Sequence, residues 1–530
     1  MKISYKYAAS LSVAVALFMA ILDVTIVNVS LVAMMKDFGT TLSSIQWVIT
    51  AYTLAQAAVI PISGYLANRF GIKRLFLAAL AVFTVGSLLC GLSRDVASGG
   101  NAENLLIFFR VLQATGGGML IPLGTAIAFS AFPPAERAAS SAVISIPVLF
   151  APALGPTIGG LIVDSRFEWP AIFYINVPIG IVALALVWRI VHPDERAPAT
   201  GAARVGFDFP GLILSMVGVV LVIYALVLVG ATRGGSITPE NPTGEINGWG
   251  YWLVWVLLVA GLACLALFTY FELKIARDPV LDLRLFHNRD FAVSAIVTWG
   301  TRAFIFGGFL LVPLFLQQYR GQSAVHTGLI LSAQGIGAIV GIQIASRIYD
   351  LIGPRALVIA GMIVLVASTV WLTFVQTDSD ASFFMPALFL RGIGFGWVGL
   401  PLQTIALAAI TGPALPKASS LYNATAQIFT SIGVAMVTTL LVQRTDVHAR
   451  ELAETARAAG GALPIDLFLR AGTAAMSDVF WMLAAGTFIV GLAAFLLPRL
   501  SLKQQQILAA LREQQPEQPE ARLAGSGRSR

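Results

Sequence analysis

Four ionisable side chains stand deep inside apolar stretches of this sequence: Asp23, Arg110, Arg302 and Arg391. A charge at the centre of a bilayer costs at least about 2.5–3.5 kcal/mol on insertion scales, so it persists where it faces a cavity or a partner. Asp23 offers the most chemistry. A carboxyl group shielded from bulk water can exchange protons near neutral pH, and when ionised it attracts a cation. One group that holds either a proton or a cationic substrate, but not both well, is a coupling device. The plainer alternative is a structural hydrogen bond to a neighbouring helix. Arg110 stays charged even when buried and requires a carboxylate, a carbonyl or water. Whether it meets Asp23 is not written in the sequence. Arg302 lies in Trp299-Gly-Thr-Arg302-Ala-Phe304-Ile-Phe306, about eleven residues into its apolar run and, at 1.5 Å per residue, roughly halfway through a bilayer. Two readings stand for it. It is a salt-bridged or snorkelling side chain, or a cavity charge that contacts an anionic or zwitterionic substrate or holds a carboxylate. Arg391 faces the same choice, with structural pairing favoured.

The elements that must carry these charges follow from composition. Of 530 residues, 57% are hydrophobic and only 12% charged, against about 45–50% and 25% in soluble domains. A water-soluble fold of this size would lack charged surface, so the solvent is a bilayer. A helix needs about 20 apolar residues to cross its hydrocarbon core. That ruler predicts fourteen spans: 8–33, 46–66, 74–93, 103–127, 140–163, 171–191, 210–231, 251–272, 291–317, 326–346, 356–375, 383–408, 419–442 and 477–497. The first apolar run is too long for a signal-peptide core and is read as a retained helix. With both termini in the cytoplasm, cytoplasmic segments hold 22 Lys and Arg and external segments nine, the expected bias. The net charge of +7 is therefore assigned to membrane topology and not to nucleic acid. Cys90 and Cys264 give no case for a disulfide, and the four histidines make no metal cluster. Residues 499–530, rich in Gln, Glu, Pro, Gly and Arg, read as a disordered cytoplasmic tail.

An internal repeat divides the chain. After the second span comes Gly64-Tyr-Leu-Ala-Asn68-Arg-Phe-Gly71-Ile-Lys73-Arg74, and after the tenth Ser346-Arg-Ile-Tyr-Asp350-Leu-Ile-Gly353-Pro-Arg355. If spans seven and eight are inserted, the copies stand six helices apart, the spacing of a protein built from two six-helix halves. The expected units are 1–192, a first bundle; 193–287, a linker with two extra transmembrane helices; 288–498, a second bundle; and the tail.

These residues resemble the major facilitator superfamily, in its fourteen-helix drug:proton antiporter branch of EmrB/QacA type, over nearly the whole chain. Leu22-Asp23-Val-Thr25-Ile-Val-Asn28-Val-Ser-Leu31 is close to the branch's first-helix signature, with Val32 in place of the usual proline. Arg110-Val-Leu-Gln113-Ala-Thr-Gly116-Gly117 is similar to the family's Arg-containing motif. Ala151-Pro-Ala-Leu-Gly155-Pro156-Thr-Ile-Gly159-Gly160 resembles the antiporter motif, with Ala for its first Gly. Trp169-Pro through Asn176-Val-Pro178 and Asp278-Pro279 through Phe286 resemble branch-typical segments. The resemblance implies an all-α fold of two six-helix bundles plus two extra helices, Asp23 as the transport acid, Arg110 in proton transfer, and the first cytoplasmic turn as a latch for a state closed to the cytoplasm. Asn68 replaces the family's acid in that turn, while the second copy keeps Asp350.

Gly155-Pro156 permits a kink, and small residues at 151, 155, 159 and 160 let another helix approach closely. Gly64, Asn68, Gly71, Gly155, Pro156, Gly159, Gly160, Asp350 and Arg355 are therefore the gating candidates. Asn28, Trp47, Tyr52, Gln113, Trp299, Arg302, Phe306, Gln317, Asn423 and Gln427 are candidates for binding substrate, the aromatics as an adaptable wall for flat cations. Gly394, Gly396 and Gly399 spell GxGxxG inside an apolar run and follow no strand, so they are packing glycines and not a dinucleotide site. No Walker A, HExxH or GxSxG motif occurs, and the expectation is a transporter and not an enzyme. It would need no cofactor beyond protons as the coupling ion. The expected function is proton-coupled export of small amphipathic, cationic molecules by alternating access, from a multi-pass position in the cell membrane. The chain is expected to be monomeric, with a periplasmic adaptor where the cell has two membranes. The alternative is export or flipping of an endogenous lipid or of an anionic or zwitterionic metabolite. A non-transporting sensor or scaffold is the third reading.

Overall fold

Inside hydrocarbon every backbone polar group must be paired within the chain, and a long apolar run does this as a helix. The computed structural model describes residues 4–40, 42–97, 100–131, 151, 154–192, 209–230, 247–275, 281–408, 410, 415–458 and 466–499. Its main helices are α1 Tyr5–Phe38, α2 Trp47–Phe70, α3 Ile72–Val96, α4 Gly100–Ala131, α5 Leu154–Val163, α6 Asn176–Ile190, α7 Phe209–Gly230, α8 Trp252–Lys274, α9 Arg289–Phe309, α10 Ala324–Ile352, α11 Pro354–Thr373, α12 Ala381–Ala408, α13 Leu415–Ala458 and α14 Leu467–Ala493. Twelve spans are long and apolar enough to cross a membrane; α2 and α5 supply two shorter apolar stretches among the described residues. The protein is a multi-pass, all-α membrane protein. The expected span at 140–163 is seen from residue 154, plus the single helical residue Ala151, and the tail beyond 499 lies outside the described residues.

The same packing pattern occurs twice. The fourth helix of each set of six, α4 or α12, packs on the first three of its set, and the sixth, α6 or α14, packs on the first and third. The two motif turns share their geometry as well. α2 ends at Gly71 with φ +85° and α10 at Gly353 with φ +81°, each N–H returning to the carbonyl four residues back. A side chain at positive φ with extended ψ costs about 1–3 kcal/mol, which is why glycine stands at both. Two residues on, Lys73 Nζ donates to the Trp188 carbonyl (2.8 Å), near the end of α6, and Arg355 donates to the Phe495 carbonyl just past α14. Each basic residue thus meets orphan carbonyls where the last helix of its own set ends.

The two sets touch along two seams. On one, α2 lies against α13, and α7 packs over both. Trp47 of α2 meets Tyr224 of α7 at 5.6 Å between ring centres, and Thr439 of α13 donates to the Leu226 carbonyl of α7 (2.7 Å). On the other, α5 lies against α10. At the end of the bundle holding Phe38, Trp169 and Leu316, apolar side chains from both sets form one buried cluster.

The thirteenth helix departs from expectation. Its apolar part ends near residue 442, yet it runs unbroken to Ala458. Its polar continuation is held by side-chain pairs. Arg444 Nε donates to Asp478 Oδ2 of α14 (2.7 Å), His448 Nε2 lies 2.8 Å from the same oxygen, and Arg450 pairs with Asp446 (3.1 Å).

Candidate functional site

The site is built on three helices. Asp23 sits mid-way along α1, Arg110 and Gln113 one turn apart on α4, and Asn176 at the start of α6. All four are buried: Asp23, Gln113 and Asn176 have no exposed surface and Arg110 has 1%. Arg110 Nη1 donates to Asp23 Oδ2 at 2.6 Å. Gln113 Nε2 (2.9 Å) and Asn176 Nδ2 (2.8 Å) both donate to Asp23 Oδ1. Arg110 Nη1 also donates to Gln113 Oε1 (2.6 Å), and its Nε to the Val48 carbonyl (3.3 Å). The guanidinium lies 3.8 Å from the centre of the Tyr52 ring, a cation–π contact. Asn176 Nδ2 reaches Ser87 Oγ as well (3.0 Å), and Ser87 donates to the Phe173 carbonyl (2.9 Å).

This arrangement suits an ionised carboxylate. Asp23 faces three N–H donors and has both oxygens engaged. A protonated carboxyl would need an acceptor for its O–H; Gln113 Oε1 is taken by Arg110, while Asn176 Oδ1 has no partner. In this conformation the acid is closed to both water and cation.

Other predicted residues lie elsewhere. Trp299, Arg302 and Phe306 share one face of α9, as their three- and four-residue spacing requires. Trp299 stacks on Phe429 (4.8 Å between ring centres) and donates to Thr425 (2.8 Å). Arg302 is half-buried, with its guanidinium 5.2 Å from the Phe306 ring centre, and among the described residues no carboxylate or carbonyl binds it. Gln427 Nε2 donates to Gln56 Oε1 (3.3 Å), and Gln56 Nε2 donates to the Tyr52 hydroxyl (3.0 Å), a polar thread from α13 to the site. Asn423 returns a hydrogen bond to the Ser419 carbonyl (2.9 Å). Gln317 lies buried in a π-helical turn, Phe315–Tyr319, with Nε2 unpartnered. Asn28 is half-buried, and Trp47 faces α7. Of the gating residues, the side chains of Asn68 and Asp350, and Gly64 with them, lie outside what is described. Gly155 and Gly159 press on Thr25 and Ile26 of α1, while Gly160 and Pro156 press on α10.

Arg391 is the second buried guanidinium, 1% exposed. Its Nη2 donates to the Ile305 carbonyl (3.2 Å), and its Nε has no partner. The register that takes Gly71 to Gly353 and Lys73 to Arg355 takes Asp23 to Ile305. Arg391 falls within one residue of Arg110's place. One set of helices therefore holds an ion pair where the other holds an arginine alone. The pairing favoured for Arg391 from sequence is met by a carbonyl and not a carboxylate. Asn176 and Ser87 are the site residues that sequence reasoning left out; Asn176 stood in the branch-typical segment from Trp169 to Pro178 but was not assigned a role.

The Major Facilitator Superfamily model matches residues 13–434. The multidrug resistance protein B homolog of Mycobacterium tuberculosis is 34% identical over 80% of this chain and 74% of its own length. The fatty acid resistance protein FarB of Neisseria gonorrhoeae is 34% identical over 84% of this chain and 82% of its own. The multidrug export protein EmrB of Escherichia coli (strain K12) is 29% identical over 92% and 95%. Among solved structures, a D-xylose-proton symporter superposes with a TM-score of 0.59 at 13% identity, over 94% of this chain and 99% of that one, a likeness of fold. The chain belongs to the Major Facilitator Superfamily, in its branch of EmrB-type multidrug transporters.

Proposed function

We propose that the chain is a proton-coupled exporter of small amphipathic molecules, working by alternating access, with α1–α6 and α9–α14 moving as two bodies. The observation that carries this reading is the fully buried ion pair of Asp23 and Arg110. A buried pair costs several kcal/mol per ion in desolvation and is weak as a stabilising device, which favours a working role for it. In the cycle, Arg110 withdraws and Asp23 becomes reachable from one side. It takes a proton, and substrate leaves. The pair re-forms once the proton departs to the other side. A membrane potential contributes about 2.3 kcal/mol per charge per 100 mV, so each proton can support a concentration ratio of roughly fiftyfold per 100 mV. The charge bias of the loops supports cytoplasmic termini in the cell membrane.

A second reading concerns the cargo. Asp23 is neutralised, whereas Arg302 is not, and it stands beside Phe306 and one turn from Trp299. That combination favours an amphipath with an anionic head over a cation, and the similarity to a fatty acid resistance protein of Neisseria gonorrhoeae supports it. The test is efflux from proteoliposomes with and without a pH gradient, using a cationic dye and a long-chain carboxylate. Asp23→Asn should abolish gradient-driven export of either while leaving gradient-independent exchange. Proton-driven export that survives Asp23→Asn sinks the coupling reading. Arg302→Gln should weaken carboxylate transport about tenfold and spare the dye; equal effects on both sink the anion reading.

A further inference from the structure

α5 and α10, from different sets of six, meet backbone to backbone. A Cβ at Gly160 would overlap the Ala324 carbonyl, and one at Gly328 would overlap the Pro156 carbonyl. Thr157 Oγ1 donates to the Gly328 carbonyl (3.3 Å). Just past the last turn of α5, Asp164 is exposed, and its Oδ2 accepts the Val325 N–H at 3.0 Å. Val325 is the second residue of α10, where helix N–H groups lack intrahelical partners. The α10 N-cap, Ser323, serves the next N–H, that of His326 (3.2 Å). The Val325 N–H is served from across the seam. A helix N-terminus carries about half a positive charge, so a carboxylate there is attracted by charge as well as by the hydrogen bond.

We propose that Asp164 is a gate residue: its carboxylate caps the α10 N-terminus across the seam and holds α5 and α10 closed at this end of the bundle. Opening this end breaks the cap, and among the described residues the other close approaches named here, those of Gly160, Gly328, Pro156, Thr157 and Ala324, involve no charged side chain. The cap biases an equilibrium and does not lock it, because both partners find water when they separate. The inference rests on the two-body reading above but not on proton coupling or on topology.

The test is a distance measurement between spin labels at Leu161→Cys and Leu329→Cys, exposed positions on α5 and α10. It uses the full chain in nanodiscs with Cys264 replaced by Ser; Cys90 is fully buried. Asp164→Ala should raise the ratio of long to short distances by about two- to fivefold. Asp164→Asn, which keeps an acceptor and loses the charge, should fall between the two. A Gly160→Trp wedge, or Thr157→Val where the wedge does not fold, should widen the distribution through packing alone. If Asp164→Ala leaves the distribution unchanged while the wedge or Thr157→Val widens it, the cap is not a latch. If none of them changes it, the two bodies do not separate here, and the two-body reading falls with the latch.

Discussion

At the scale of residues, the two buried arginines make the clearest contrast. Arg110 has a carboxylate, an amide, a carbonyl and an aromatic face; Arg391 has one carbonyl and an unpartnered Nε. Removing one partner of a buried ion pair costs about 3–5 kcal/mol, because the other charge is left uncompensated, whereas removing a buried charge that has no ionic partner leaves no opposite charge uncompensated and relieves its desolvation cost. Arg110→Met is therefore expected to destabilise the protein by about 3–5 kcal/mol, and Arg391→Met by less than about 1 kcal/mol or not at all. Thermal unfolding of both variants in one detergent checks this. A drop for Arg391→Met as large as that for Arg110→Met would mean that Arg391 has a partner of its own. Little of this was legible beforehand. The sequence supplies the four charges, but Asp23 and Arg110 lie on separate helices 87 residues apart, and only packing of α1 on α4 joins them. Asn176 was harder still, since an asparagine early in an apolar run is equally at home as a helix-end residue.

At the scale of elements, the repeat is visible in sequence because it depends on backbone conformation and not on distant contacts. Gly71 and Gly353 occupy the same positive-φ corner, and the base two residues later reaches the end of the sixth helix in each set. Gly71→Ala and Gly353→Ala should each destabilise by about 1–3 kcal/mol from the positive-φ, extended-ψ backbone alone, read as similar downward shifts in thermal unfolding. A markedly larger loss at one turn would show that its corner also carries a contact the other lacks. The length of α13 was misjudged for the opposite reason. A ruler of apolar residues stops where hydrocarbon stops, but a helix continues into water when its polar side chains pair. Arg444 and His448 both do so with Asp478 on the neighbouring helix. At 1.5 Å per residue its 44 residues span about 66 Å, against about 30 Å of hydrocarbon core.

At the scale of the whole molecule, the polar end of α13 and the motif turn after α10 project on opposite sides if the loop charges set the topology. Glu454 is exposed on the first and Leu351 is 77% exposed on the second. In intact cells a membrane-impermeant maleimide should label Glu454→Cys, and should label Leu351→Cys only after permeabilisation. The reverse result would invert the orientation. Two helices, α7 and α8, lie within the expected linker, but their packing could not be read from sequence. α7 lies over the seam between α2 and α13, while α8 turns most of its surface outward, with Trp252, Val259 and Tyr270 all more than half exposed. A helix that is apolar on every side carries no mark of which face meets protein and which meets lipid.

By itself the sequence determined the solvent, the apolar runs that form helices in it and the repeated turns, because hydrophobic length and backbone conformation are local properties. It also named the four charges that had to be explained. Only the tertiary structure decided which charges neutralise one another, that Asp23 is closed off by Arg110, Gln113 and Asn176, and that Asp164 caps a helix of the opposite set. Those outcomes depend on side-chain directions across helices far apart in the chain, and in a bilayer, where apolar faces are nearly interchangeable, shape and hydrogen bonding alone select them.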